Sequence, residues 1–164
     1  MTVVSRFRPP LLIAGLLLAC TGSSRSEPEG RRAIEDTVAR YVHASNAGDA
    51  DALADLYTDD AVLLPPDHPP IRGREAIRTY WRQGTDEGLA VTTLVMEVDG
   101  VVGYLVGQYT LPATDAEPAD SGKYVMCLQR QGDGSWKLAA DIWNGSADTE
   151  GSEAGRERSA VPIT

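Results

Sequence analysis

Apolar residues recur at a helical period in the first part of the chain beyond residue 30. In the first run they are Ile34, Val38, Tyr41 and Val42, and a stop signal, Asn-Ala-Gly, follows at 46–48. Asp49 can cap a second, short helix that carries Leu53, Leu56 and Tyr57. Gly73 precedes a third that carries Ile77 and Trp81 on one face. The apolar run 61–64 predicts a strand between the second and third helices. This half is therefore predicted to contain about three helices and one strand.

Strand-like runs replace the helical pattern from Leu89 onward. Four strands are predicted at 89–98, 101–111, 122–131 and 135–144, with hairpin turns at 99–100 and 132–134. The proline-rich segment 65–70 fits neither a helix nor a central strand and is expected to form a stiff loop. Helices followed by an antiparallel meander indicate an α+β fold in which the helices cover one face of a curved sheet.

The first 19 residues have the layout of an export signal. Arg6 and Arg8 precede the apolar run 11–19, which is too short to span a bilayer as a helix and ends directly at Cys20. Residues 17–20, Leu-Leu-Ala-Cys, resemble the bacterial lipobox, in which the cysteine is acylated. The resemblance implies a lipoprotein of the cell envelope, and Thr21 favours the outer membrane if the source has two membranes. An uncleaved anchor or an ordinary signal peptide stays open, and either would still export the domain.

Composition divides the rest of the chain into a tether, one domain and a tail. Residues 20–30, with the lipidated cysteine, are expected to form a flexible tether because they are small, polar and contain a proline. Residues 146–164 have the same character and are predicted to be disordered. The folded domain is expected at 31–145, a length that suits a single core.

The acidic composition restricts the expected partners. Cleavage after residue 19 removes two of the 15 Lys and Arg residues, leaving 13 against 24 Asp and Glu and a net charge of −11. Nucleic acid is not an expected partner because phosphate binding needs a basic face, and membrane contact is expected only through the anchor. His43 and His68 belong to no cluster with metal-ligand spacing, so no metal is expected, and nothing indicates a cofactor. With Cys20 lipidated, Cys127 is expected to be a free, buried strand residue.

Three segments resemble the nuclear-transport-factor-2-like superfamily, and most closely its SnoaL-like branch and a related domain of unknown function. They are RYVHASNAGD at 40–49, LYTDDAV at 56–62 and IRGREAI at 71–77, and the last strand at 135–144 also fits. The resemblance implies a cone-shaped, curved antiparallel sheet closed by the helices, a pocket in its mouth and, in many members, a homodimer across the outer sheet face. The superfamily includes isomerases, cyclases, dehydratases, carriers and interaction modules, so the likeness indicates a fold rather than a reaction.

Tyr41 lies where the ketosteroid isomerases of this superfamily keep an oxyanion-stabilising tyrosine. A neutral tyrosine hydroxyl can donate to a developing oxyanion, although Tyr41 also fits an amphipathic core residue. The isomerase base position falls on Pro65, and the second oxyanion donor falls near Met126. Neither side chain can transfer a proton, so ketosteroid isomerase activity is not expected. Whether the chain is an enzyme at all stays open.

Further candidates lie on the last strand, in the proline loop and on the third helix. Inside a cone, Asp141 next to Trp143 would be an ionisable group against an aromatic wall. If this face is instead the outer face of the sheet, Asp141 would be solvated and Trp143 would contact a second copy. The two-residue period of a strand does not decide between these two arrangements. Asp67 and His68 are either a substitute base or ordinary turn residues, and Trp81 is either a ligand contact or core.

The sequence therefore favours a lipid-anchored domain that binds a small apolar molecule. Tyr41 and Asp141 are its candidate catalytic or polar groups. The candidate ligand contacts are Trp81, Met126, Trp143, His68 and Asp67. Two alternatives are an isomerase, cyclase or lyase that uses an acid or base in the same pocket, and a protein-interaction module.

Overall fold

The computed structural model describes residues 23–115 and 118–146, with side chains from residue 27 onward. The elements in these ranges are α1 (Ser23–Asn46), α2 (Ala50–Asp55), β1 (Tyr57–Leu64), β2 (Ile71–Arg72), α3 (Arg74–Trp81), β3 (Ala90–Asp99), β4 (Val102–Leu111), β5 (Asp120–Arg130) and β6 (Trp136–Gly145). The predicted signal peptide, Cys20 and nearly all of the predicted tail lie outside the described residues. Within them, no helix combines the length and apolarity needed to cross a membrane.

The six strands form one curved sheet in the order β2-β1-β6-β5-β4-β3. Strands β3 to β6 pair antiparallel as a meander, with Val125 opposite both Val106 and Ile142. The α+β class and the curved sheet are confirmed. The expectation of a wholly antiparallel sheet is wrong at one pair, because β1 fills the open edge of β6 in the same direction. An open edge can accept a strand in either direction.

Helix α1 begins at Ser23, well before the domain boundary expected at residue 31. Gly30 is buried, and a Cβ at this position would lie 3.0 Å from Val98 Cγ1 and 3.4 Å from Trp136 Cζ2. This close approach packs the early part of the helix directly onto the sheet. Because residues 23–30 belong to α1, the prediction of a flexible tether there is wrong.

The meander strands begin and end within two residues of their predicted bounds, whereas β1 does not. Leu56 caps the end of α2, so β1 begins at Tyr57, a residue that the helical period had placed in the second helix. Strand β2 was not predicted. Cys127 is free, as expected, but it is half-buried rather than buried, because the core-facing residues of β5 are its neighbours Met126 and Leu128.

Two glycines in the meander make room for tyrosine rings. Gly107 pairs with Tyr124, and Gly122 pairs with Tyr109, across strands β4 and β5. A Cβ on Gly107 would collide with the Thr92 carbonyl oxygen and the Tyr124 ring, and a Cβ on Gly122 would collide equivalently. Each ring therefore lies over the glycine of the next strand, and both tyrosines are buried on the concave face.

We expect Gly107→Ala to destabilise the domain, since the added methyl group meets a backbone oxygen that cannot move independently of β3. Overpacking of this kind typically costs about 1–3 kcal/mol of unfolding free energy. Gly132→Ala is the matched control, because a Cβ there meets no atom within 4 Å. Urea unfolding should separate the two variants. Equal stabilities would contradict the close Gly107–Tyr124 packing.

Candidate functional site

A cavity of about 100 Å³ opens on the concave side of the sheet, between helix α1 and strands β3 to β6. Four aromatic side chains line it, namely Tyr41, Tyr109, Tyr124 and Trp143. Four aliphatic ones line it as well, namely Leu89, Val91, Leu111 and Met126. Its ionisable acids are Asp86, Asp120 and Asp141. The cavity therefore combines apolar walls with three carboxyl groups.

Asp141 is the most buried of these carboxyl groups, with 1% of its surface exposed. The Tyr57 hydroxyl donates a hydrogen bond to Asp141 Oδ2 at 2.7 Å, and Tyr57 is itself fully buried. Tyr41 lines the same cavity and also favours the charged form of this carboxyl group, more weakly than Tyr57 does. Residues from α1, β1 and β6 therefore converge on one acidic group at the inner end of the cavity.

Burial controls the protonation of this cluster. Loss of hydration raises the pKa of Asp141 from 3.8 to about 7, although the hydrogen bonds from Tyr57 and Tyr41 oppose the rise. Burial, and next the negative charge of Asp141, raise the pKa of both tyrosines well above 10. The tyrosines therefore stay neutral donors, whereas Asp141 changes charge near neutral pH.

A β-bulge in β6 turns Asp141 inward. Across β5, Cys127 pairs with Ala140 and Leu128 pairs with Leu138, so Ala139 is an extra residue in β6. Leu138 and Asp141 are both buried, although strict alternation would place residues three apart on opposite faces. Trp143 lines the cavity as well. The sequence left open whether Asp141 and Trp143 lie on the inner or the outer face of the sheet, and in the structure both lie on the inner face.

Tyr57 is the partner that sequence reasoning missed. Its backbone is held in place from α3, because Arg74 Nε donates to the Tyr57 carbonyl oxygen at 3.0 Å and Arg74 also pairs with Asp59. On the other side, the Leu138 amide donates to the Leu56 carbonyl oxygen at 2.8 Å. The available signal was chemical, since a tyrosine in an otherwise apolar stretch needs a partner for its hydroxyl when buried.

Trp81 is buried behind the cavity wall rather than in it. Its ring stacks on Trp143 with centroids 5.8 Å apart and meets Tyr41 edge-on at 6.3 Å. Among the described residues its indole N–H has no hydrogen-bond partner. In this structure Trp81 supports two cavity residues from outside.

Asp67 and His68 are exposed and do not line the cavity. The proline loop packs on the outer side of α3 instead, where the His68 ring meets Tyr80 edge-on at 5.7 Å. The structure therefore does not bring these two residues to Tyr41 and Asp141.

Two further positions are those where the resemblance would place the catalytic groups of a ketosteroid isomerase. Pro65 is buried and does not line the cavity, whereas Met126 does. Met126 is also the register partner of Asp141. A carboxyl group on the neighbouring strand thus lies next to the position where the resemblance implied a second donor. No set of three or more metal-binding side chains is grouped for an ion in the part of the chain described.

Comparisons with known proteins agree with this architecture. A solved structure of a Mycobacterium tuberculosis protein of unknown function is 31% identical with a TM-score of 0.62, covering 75% of this chain and 80% of that one. A ketosteroid isomerase-like protein from Erwinia carotovora atroseptica is 20% identical with a TM-score of 0.63, over 71% of this chain and 96% of that one. At that identity the likeness shows the fold alone.

Two sequence comparisons add to these structures. The orange carotenoid-binding protein of Synechocystis is 34% identical over 61 residues, which are 37% of this chain. The match spans only 19% of that protein's length. The model of the SnoaL-like domain matches residues 26–140, well over half of the chain. The chain therefore belongs to the SnoaL-like domain family, as its sequence motifs had indicated.

Proposed function

We propose that this domain binds a small, mostly apolar molecule in its cavity and that Asp141 makes the polar contact at the inner end. The observation that carries the proposal is a carboxyl group, 1% exposed, facing a cavity with aromatic and aliphatic walls. Ligand sites typically combine such walls with a few convergent polar groups. The carotenoid-binding relative supports small-molecule binding, although its match covers little of that protein.

The size of the cavity restricts the ligand. An apolar cavity of about 150 Å³ holds a benzene molecule. At about 100 Å³ the cavity of this chain is smaller, so a short branched chain fits within it and a single six-membered ring would fill it and reach into the opening. A longer molecule would have to extend beyond the opening or widen it.

Protonation of Asp141 determines what its carboxyl group offers a ligand. Below its pKa of about 7 the group carries an O–H, which can donate to a carbonyl or ether oxygen. Above that pKa it is a carboxylate, which accepts hydrogen bonds and repels a ligand acceptor. Tyr57 orients the carboxyl group, and the Tyr41 hydroxyl lies beside it as a second polar group.

The same feature supports an enzymatic alternative. A carboxyl group with a pKa near 7 suits general acid–base catalysis at neutral pH. An isomerase, cyclase or lyase reaction would then use Asp141, and Asp141→Asn would lose turnover while retaining binding. Binding without catalysis, in contrast, requires no second group that transfers a proton.

The export of this domain is a further proposal, and it is based on the sequence alone. Lipidation of Cys20 would anchor the domain at the cell envelope. If Cys20→Ala blocks lipidation and leaves the domain in the soluble or precursor fraction, the result would support this, whereas partitioning into detergent like the parent protein would contradict it.

The outer face of the sheet supports a homodimer. One row of apolar residues crosses five strands as successive register partners, here named the outer belt: Val95, Val106, Val125, Ile142 and Leu64. Val95, Val125 and Ile142 are 42%, 36% and 43% exposed. A contiguous exposed apolar surface of this kind marks an interaction site, and a second copy offers a matching belt.

We expect binding of cyclohexanone, a single-ring carbonyl compound, to weaken as pH rises through 7. If only protonated Asp141 donates, the dissociation constant should be about tenfold higher at pH 8 than at pH 6. NMR titration would measure it. Asp141→Asn should remove this pH dependence, since an amide does not titrate.

Tyr57→Phe sharpens the same experiment. It removes a hydrogen bond that favours the charged carboxylate, so the pKa of Asp141 should rise and the binding midpoint should move to higher pH. A merely structural role for Tyr57 would change affinity without moving the midpoint. Binding of cyclohexanone that is independent of pH in the wild type would contradict the role given to Asp141.

For the outer belt, we expect the purified protein to sediment as a dimer and Val125→Glu to sediment as a monomer. The carboxylate would be desolvated at the interface without a partner. Val101→Glu is the matched control, because Val101 is 57% exposed but lies in the β3–β4 turn. A monomeric wild type at high concentration would contradict the dimer.

A further inference from the structure

We propose that the ligand of this cavity carries a positive charge at its outer end, so that the domain selects a small organic cation, such as a protonated amine, over neutral and anionic molecules of the same shape. This inference rests on the proposed function and names the chemical class of its ligand. The observation behind it is the juxtaposition of Asp86 and Asp120 with aromatic rings at the cavity mouth.

The ionisable lining of the cavity is one-sided. Asp86, Asp120 and Asp141 all line it, and no lysine, arginine or histidine does so in the part of the chain described. Asp120 is exposed and Asp86 is half-buried, whereas Asp141 is buried. The first two therefore lie toward the opening and Asp141 lies at the inner end.

Asp86 and Asp120 both affect the hydroxyl group of Tyr109. This hydroxyl donates to Asp120 Oδ2 at 2.9 Å. Burial raises the pKa of Tyr109 to about 12, with further contributions from the hydrogen bond to Asp120 and from the charges of Asp120 and Asp86. Both negative charges therefore affect the Tyr109 hydroxyl, although 34 positions in the sequence separate the two residues.

Asp86 is held at this place by its backbone. The buried Ser45 hydroxyl on α1 donates to the Asp86 carbonyl oxygen at 3.0 Å. The α3–β3 loop is therefore tied to the helix that also carries Tyr41. The fold therefore determines where the Asp86 backbone lies beside the cavity that this residue lines.

The aromatic walls add to the attraction of a cation. Tyr109, Tyr124, Tyr41 and Trp143 present rings to one small space, and ring faces attract ammonium groups. Combined with two carboxylates, they form the environment in which organic cations are usually bound. The net charge of −9 over the chain favours the approach of a cation further. An anion would meet repulsion at the opening and find no basic group inside.

The test uses three cyclohexane derivatives of nearly equal size, namely cyclohexylamine, cyclohexanol and cyclohexanecarboxylate. At pH 6 the amine is cationic, the acid is anionic and Asp141 is mostly protonated, so its charge does not add to that of the outer pair. NMR titration of the full-length protein should give the tightest binding for the amine. We expect the alcohol to bind about tenfold more weakly, since a contact with a charged partner contributes that much or more, and the carboxylate more weakly still.

Variants assign the preference to the two carboxylates. Asp86→Asn and Asp120→Asn should each reduce the ratio of amine to alcohol affinity several-fold, and the double variant should bring it close to one. Asp99→Asn is the matched control, because it makes the same change of charge at an exposed site in the β3–β4 hairpin, away from the cavity. Alcohol affinity in each variant serves as the internal check that the cavity is intact.

Two results would overturn the proposal. If the alcohol or the carboxylate binds as tightly as the amine in the wild type, the cavity does not select a cation. If the amine preference survives in the double variant, or falls equally in Asp99→Asn, the two carboxylates are not its source. In both cases binding in the cavity would stand. If none of the three compounds binds, the proposed function fails, and the inference fails with it.

Discussion

The rest of this structure depends on how one carboxyl group is buried. A charged carboxylate loses its hydration when water is excluded, and where no cation pairs with it the loss is compensated by protonation or by hydrogen bonds. Asp141 has both, through its raised pKa and the 2.7 Å bond from Tyr57. That bond joins the start of β1 to the middle of β6. The bulge at Ala139 and the anchoring of Tyr57 by Arg74 both help to bring the two side chains together.

A second constraint is the pairing of glycine with tyrosine in the meander. Because Gly107 and Gly122 have no side chain, the rings of Tyr124 and Tyr109 can lie over the neighbouring strand, and both rings line the cavity. The result is a cavity with a graded character. Asp141 lies at its inner end and is neutral or charged depending on the pH. Its walls are aromatic and aliphatic, and its opening carries the carboxylates of Asp86 and Asp120. We infer a ligand with an apolar body and distinct polar ends.

Most of the architecture could be predicted from the sequence, but only part of the site. Period and turn residues determined the meander to within two residues at each boundary, because those signals are local. Tyr41 was a candidate because of the resemblance to the isomerases and Asp141 because of its chemistry, and both line the cavity. Tyr57 was missed because the helical period extended over it. The bulge at Ala139 has no local signal, and Asp86 and Asp120 meet only through the folded sheet.

A buried Asp141 is expected to titrate near neutral pH inside the cavity. Carboxyl-carbon NMR of the wild type, with the Asp141 signal assigned through Asp141→Asn, measures this directly. We expect a midpoint of about 7 for Asp141, against an ordinary value of about 4 for a solvated aspartate. A midpoint near 4 for Asp141 would show that its carboxyl group is solvated and ionised, and would contradict its burial as the source of the polar contact in the cavity.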